Sequence, residues 1–478
     1  MLPRLTWSQP ETQAEIEGAI LAALARAVDA GDDLVTLRGE LASVNDRMRR
    51  DYVVASLIGH SELHVRIESL LNTIEANTAH YDRDLEELDR SHVAAAETAQ
   101  DVVAKLSPVR DLLWSIRNDR MRTVREVFEF CGVGASTSAT AAFISIQQVL
   151  SSLDRLEVRG RDSAGVHLMI HGAKVDVDSA AAKSLIGARM SDPLFANNAV
   201  RYVNGVWSFV YKAAAEIGEL GDNTRAIRGA IKSDDLLRLV LADADVYTEV
   251  LAHTRWASVG IISEPNAHPV NNEQINATAS PYLVAVLNGD VDNYVDLKVN
   301  HSLRFADPIT TDAKVIPALV SREMVGGTGD AVEAFRRTVA QFEGSVAVAA
   351  SVADTPGKLL LALSGTGQGL YIGICADRWI VASEPYGVVE ETDTYLSMQG
   401  EDGGEVVVLD AGATGDLSGL RRLGYDGREL SVADTDLSRT EITTRDIDRG
   451  AFRHFLLKEI SESPRSFRAT LRGRCHAW

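Results

Sequence analysis

Long apolar runs are missing from this chain. No stretch approaches the ~20 apolar residues that a bilayer crossing requires, and the opening MLPRLTWSQPETQAEIEG has no apolar core of a secretion signal. Neither a membrane role nor export is expected, and the cytoplasm is the expected location. Cysteine is scarce too: Cys131, Cys375 and Cys475 are the only three, too few and too scattered for a disulfide scaffold or a zinc site. No metal and no cofactor is expected. Positive charge is in deficit, with 48 Lys and Arg against 68 Asp and Glu and a net charge of −20 at pH 7. Such a balance argues against nucleic acid and against anionic membrane surfaces as general partners. Internal repeats and low-complexity tracts are absent as well.

What is present is the composition of an ordinary globular protein, 45% hydrophobic and 24% charged. The length suggests about three domains at ~150 residues each. Residues 1–130 read as an all-helical N-terminal extension. Ser8 followed by Pro10 and Glu11 reads as a helix start, because a proline in the first turn loses no hydrogen bond. Leu34, Leu37, Leu41, Val44 and Met48 recur at three- and four-residue steps, as do Leu63, Ile67, Leu70 and Ile74, so each set shares one helical face. Gly31 and Pro108 read as breaks. A small bundle fits these stripes, since no heptad run is sustained enough to demand a coiled coil.

Past residue 131 the texture changes. Short β-rich runs at 165–170, 282–287, 345–350 and 370–374 alternate with helical stretches and Gly/Asn/Asp turns, the mark of an α+β or α/β layered domain. The stretch 176–251 reads as mostly helical. Chemistry-bearing residues gather in short segments: Phe130-Cys131-Gly132-Val133-Gly134; Val158-Arg159-Gly160-Arg161-Asp162-Ser163-Ala164-Gly165; His253-Thr254-Arg255-Trp256-Ala257-Ser258 with Asn266-Ala267-His268-Pro269; Leu287-Asn288-Gly289-Asp290; and Thr310-Thr311-Asp312-Ala313, which opens a helix. Singly, each admits a plain structural reading: a packed cysteine, a turn, an ion pair, a core aromatic.

Together and in this order, the segments resemble the glutaminase domain of the glutamine–fructose-6-phosphate aminotransferase (glucosamine-6-phosphate synthase) family. ICADRWIVASEP at 374–385 is similar to the family's late strands. RHFLLKEISESPRSFRATLRGR at 453–474 is similar to the segment that leads to its sugar-phosphate isomerase domains. The resemblance implies an α+β fold, the N-terminal-nucleophile αββα sandwich, over residues 131–445, with a linker at 446–478. It implies hydrolysis of L-glutamine to glutamate and ammonia, Cys131 as nucleophile, and its α-amine as base. The Asn288 side chain and the Gly289 N–H would form the oxyanion hole. Arg255 would hold the substrate carboxylate and Asp312 its ammonium group. Trp256 would close over the site, with Ser258 and His268 on the substrate side and Arg159, Asp162 and His253 in support. His253 and His268 are expected chiefly to order loops. A glutaminase of the phosphoribosylpyrophosphate amidotransferase kind shares an RGxDSAG-like turn, but the Thr-Arg-Trp and Asn-Ala-His-Pro segments favour the aminosugar family.

The chain departs from that family's pattern in three ways. Cys131 is internal, so its amine becomes basic only if residues 1–130 are cut away. Val259 and Leu287 stand where the family has histidines. Nothing after Arg474 but CHAW remains, so a sugar-phosphate isomerase or synthase domain or subunit is an expected partner, and an oligomer is expected. The alternative to a glutaminase is a non-catalytic regulatory or assembly module whose nucleophile is blocked by the extension.

Overall fold

The computed structural model describes the chain apart from residues 6–8, 82, 85–93, 133, 216–218, 276–280, 402 and 475–478. Ser8, Val133 and Cys475 therefore lie outside the described residues. The chain forms two compact units, each from two separated stretches: unit 1 is Met1–Ser8 with Arg125–Glu441, and unit 2 is Gln9–Val124 with Ile442–Trp478. The boundary expected at Cys131 thus falls at Arg125, and the first eight residues belong with unit 1 rather than with a helical extension.

Unit 2 is helical. Its helices are α1 (Gln13–Asp29), α2 (Leu34–Met48), α3 (Asp51–Leu57), α4 (Ser61–Thr78) and α5 (Ala94–Ser115). Helix α1 starts at a capping box made by Thr12 and Glu15, later than Pro10 suggested, because that pair satisfies two backbone donors reciprocally. The stripe of α2 is buried throughout, and α1 packs on α2 and α4. On α4 the buried set is Leu63, Ile67, Leu71 and Ile74, so the stripe runs through Leu71 and not Leu70. Pro108 lies inside α5 instead of ending it. A mid-helix proline costs ~3 kcal/mol, and buried Leu106, Val109 and Leu113 around it supply packing against that cost. The C-terminal stretch joins this unit through Thr444, whose hydroxyl lies 2.6 Å from the Asp119 carboxylate, and Arg445, 2.7 Å from Asp111. It ends in a helix, Phe455–Arg474, within the segment expected to be a linker.

Unit 1 begins with β1 (Leu2–Pro3) and resumes in α6 (Met121–Cys131) and α7 (Thr137–Leu156). Four strands form one antiparallel sheet in the order β3-β4-β2-β5: β2 (Ser163–His171), β3 (Val200–Val203), β4 (Val206–Ala213) and β5 (Tyr247–Arg255). A second, seven-stranded sheet contains β6 (Val270–Asn271), β7 (Leu283–Gly289), β8 (Val346–Val352) and β9 (Lys358–Ser364). A third, ordered β1-β11-β10-β12-β16, holds β10 (Tyr371–Cys375), β11 (Arg378–Ala382), β12 (Thr394–Ser397) and, last in the chain, β16 (Leu437–Arg439). The remaining strands of the seven are β13 (Glu405–Asp410), β14 (Leu420–Gly424) and β15 (Glu429–Leu430), giving β15-β14-β13-β9-β8-β7-β6.

Met1 joins the first sheet to the third. Its nitrogen donates to the Val250 carbonyl at 2.9 Å, and its own carbonyl accepts from the Val250 N–H at 3.1 Å. Leu2 then pairs with Trp379, and both are fully buried. The joined sheet stacks on the seven-stranded one. Along β7, side chains alternate: Leu283, Ala285 and Leu287 belong to a core shared with α8 (Val315–Glu323) and α9 (Ala331–Val339), whereas Val284 and Val286 belong to the core between sheets. Helix α7 covers the outer face at β5, which completes four layers, helix–sheet–sheet–helix. The αββα arrangement expected from the resemblance is therefore present. Strands β3 and β4 correct the reading of 176–251 as mostly helical: β4 is buried on both faces, polar Ser208 and Lys212 included, so no in–out alternation marks it.

Candidate functional site

A cavity of about 460 Å³ opens in unit 1 where the ends of β5 and β7 face β1 and β11. Its lining includes Met1, Arg159, His253, Arg255, Trp256, Ser258, His268, Asn288, Gly289 and Asp312. Segments distant in sequence thus meet at one place, because the strands that carry them end at the same edge of the sandwich.

Strand alternation aims Asn288 into the space between the sheets, two residues beyond Val286. Gly289 follows at φ +108°, where a Cβ would stand 1.9 Å from the Ser345 carbonyl oxygen. Only glycine fits there. Asp312 opens the turn before α8, and its Oδ2 accepts the Val291 N–H at 2.8 Å. Burial raises its pKa above the usual Asp value, and neighbouring Asp290 adds to the rise. Arg255 ends β5, nearly buried at 4% exposure, and donates to the carbonyls of Ile261 (3.4 Å) and Val259. Burial lowers its pKa, against the field of Asp312 and Asp162. Asp162 does not line the cavity. It accepts the Ala257 N–H at 2.9 Å and so shapes the loop that follows Arg255. Trp256 is 77% exposed at the rim, Ser258 donates to Asp290, and Arg159 lies 2.9 Å from Glu384.

His268 is held at both nitrogens, 3.1 Å from the Leu287 carbonyl and 3.0 Å from the Thr311 hydroxyl. The His253 ring lies beside it, centroids 4.8 Å apart and planes tilted by 40°. Burial pushes His268 well below the ordinary imidazole pKa and His253 down to about 4. Both are neutral at pH 7, so His268 orders the strand end and the Asp312 turn rather than charge-pairing with a ligand.

Cys131 lies apart from these residues. It closes α6, half-buried, and no cysteine among the described residues lines the cavity. Burial raises its thiol pKa, the wrong direction for a nucleophile. Gly132 beside it has φ +69°, and its N–H caps the helix on the Phe128 carbonyl at 2.8 Å. The Cys-Gly pair that suggested a nucleophile is a helix stop. The cavity wall also includes Met1, which no motif announced.

No family model matches the chain. Curated relatives do. Glutamine–fructose-6-phosphate aminotransferase of Aquifex aeolicus is 27% identical over 341 residues, 69% of this chain and 44% of that protein. The Bacillus cereus enzyme of the same name is 27% identical over 318 residues, 66% and 41%, and that of Streptococcus mutans 29% over 247 residues, 51% and 37%. The chain spans less than half the length of these relatives. Among solved structures, the glutamine phosphoribosylpyrophosphate amidotransferase from B. subtilis matches 58% of this chain and 46% of its own at 17% identity and TM-score 0.37. The chain is thus similar in sequence to glutamine–fructose-6-phosphate aminotransferases, and its unit 1 has a four-layer helix–sheet–sheet–helix fold.

Proposed function

We propose that unit 1 takes L-glutamine into this cavity and releases its side-chain nitrogen as ammonia, leaving glutamate, for amination of a sugar phosphate held by an isomerase or synthase domain or subunit. The observation that carries this reading is the convergence of Arg255, Asn288, Gly289 and Asp312 on one cavity. A free amino acid presents a carboxylate, an ammonium group and, in glutamine, a terminal amide. Arg255 offers a planar fork to the carboxylate, and Asp312 offers a charge to the ammonium. The Asn288 amide and the Gly289 N–H meet the amide oxygen as it gains negative charge under attack, and removing one such donor typically costs 10²–10³ in rate.

A second reading is favoured by one observation. The attacking group must come from the cavity wall, and Met1 is part of that wall while no described cysteine is. A thioether has no proton to give up and forms no stable acyl bond, so a protein with Met1 in this place binds glutamine without turning it over. Ammonia release and glutamine binding, measured on the full chain with its N-terminal residue identified by intact mass, separate the two. Binding with ammonia release supports the glutaminase. Binding alone supports the non-catalytic reading. Absence of binding overturns both.

A further inference from the structure

The joined sheet carries a row of basic groups on the face that looks into the sandwich. Pairing sets Lys212 of β4 across from Gly165 of β2, and Gly165 across from His253 of β5, so these positions share one face. His167, two residues along β2, is the diagonal neighbour of Lys212 on the same face. Lys212 is 2% exposed, and its Nζ has no hydrogen-bond partner among the described residues. His167 is fully buried, its Nε2 is 2.8 Å from the Ser208 hydroxyl, and its Nδ1 likewise lacks a partner. The Phe195 ring centroid lies 5.3 Å from Nζ.

A buried amine with no acceptor costs free energy that its neighbours do not return. Lys314, also buried, adds repulsion. The carboxylates in the surroundings are Asp192 and Glu264, and both are already engaged: Asp192 accepts the N–H groups of Leu194 (3.0 Å) and Ala196 (2.8 Å), and Glu264 that of Asn197 (3.2 Å). His268 is the remaining titratable neighbour and is neutral. The site presents unpartnered nitrogen donors and a second cation, and it lacks an anion of its own.

We propose that Lys212 is a carbamylation site, taking up carbon dioxide to become an N-carboxylysine. The lone pair of the neutral Nζ forms a bond to the carbon of carbon dioxide, one C–O π pair moves onto oxygen, and Nζ releases a proton to solvent. The product is R–NH–COO⁻. It replaces a buried unpaired amine by an anion facing Lys314 and the free Nδ1 of His167. Burial lowers the Lys212 pKa to about 7, so the nucleophilic form is well populated near neutrality. Lys314 is an internal control. Burial lowers it to about 7 as well, but its Nζ donates to both the carbonyl and the Oδ1 of Asn271 at 2.7 Å. A carbamate keeps a single N–H and would lose one of those bonds.

The test is chemical trapping on the full chain. Protein equilibrated with bicarbonate is treated with triethyloxonium, which esterifies a carbamate, and the adduct is located by peptide mass spectrometry. The expected result is an ethoxycarbonyl adduct on Lys212 and none on Lys314 or on exposed Lys174 and Lys183. No adduct on Lys212, or equal adducts on Lys174 and Lys183, overturns the proposal. Independently, ¹³C-bicarbonate should give a carbamate carbon resonance that Lys212→Arg abolishes while the circular dichroism spectrum is kept. Persistence of that resonance in Lys212→Arg also overturns it.

Discussion

At the scale of single residues, the proposed function divides the cavity's groups into those that bind glutamine and those that react with it. Arg255→Lys exchanges a planar fork for a point charge and should weaken glutamine binding about tenfold or more, since hydrogen bonds to charged groups contribute about 1.5–3 kcal/mol. Calorimetric titration checks this. Asn288→Ala should leave affinity nearly unchanged and, where turnover is present, lower kcat about a hundredfold; an effect on KM alone would remove Asn288 from the oxyanion role. Asp312 must be ionised to pair with an ammonium group, and its pKa is raised by burial. Glutamine affinity should therefore fall on acidification from above the ordinary Asp range, and Asp312→Asn should flatten that profile. Arg255, Asn288, Gly289 and Asp312 were legible in the sequence because each sits in a segment with its own turn or strand signal. Cys131 lies away from that group, because glycine after cysteine serves a helix C-cap as readily as a nucleophile loop, and spacing alone does not distinguish them.

At the scale of elements, β1 matters most and was least legible. A two-residue strand has no periodicity, and nothing in Met1-Leu2-Pro3 announces that Leu2 is fully buried against Trp379. Leu2→Ala should cost about 2–5 kcal/mol, read as a lower melting temperature of unit 1. A protein beginning at Cys131 would lack β1 altogether and should lose both stability and glutamine binding; full affinity in such a protein would show β1 to be dispensable. The longer strands β2, β7, β8 and β10 were legible from their apolar runs. The buried strands β3 and β4, and Pro108 inside α5, were not, because tertiary packing overrode the local signal. The interior of the sandwich also sets a pH dependence. Burial holds His167 at about 3 and His171 and His253 at about 4, below the unfolded value near 6.5. The unfolded chain binds these protons first, so the stability they report is present above pH 6.5 and is lost as pH falls towards 4. Buried Glu249, raised to about 7, acts in the opposite sense. With His268 also held well below its ordinary value, four imidazoles outweigh one carboxyl, and the melting temperature should fall between pH 7 and pH 5.

At the scale of the molecule, the chain enters unit 1, leaves it after eight residues, forms most of unit 2, and returns at Arg125. The sequence resemblance located the returning part and missed the opening strand, because the helical stretch between them separates β1 from the helix and turn that follow it in the fold. Placing the site therefore required the three-dimensional pairing of Met1 with Val250. In the proposed function the glutamine site is the cavity of unit 1 and not the neighbourhood of Cys131. The most direct measurement is calorimetric titration of L-glutamine into the full chain, run in parallel on Arg255→Lys and Cys131→Ala. Saturable binding is expected, unchanged in Cys131→Ala and weakened about tenfold or more in Arg255→Lys. Binding lost in Cys131→Ala but kept in Arg255→Lys would contradict the proposed function.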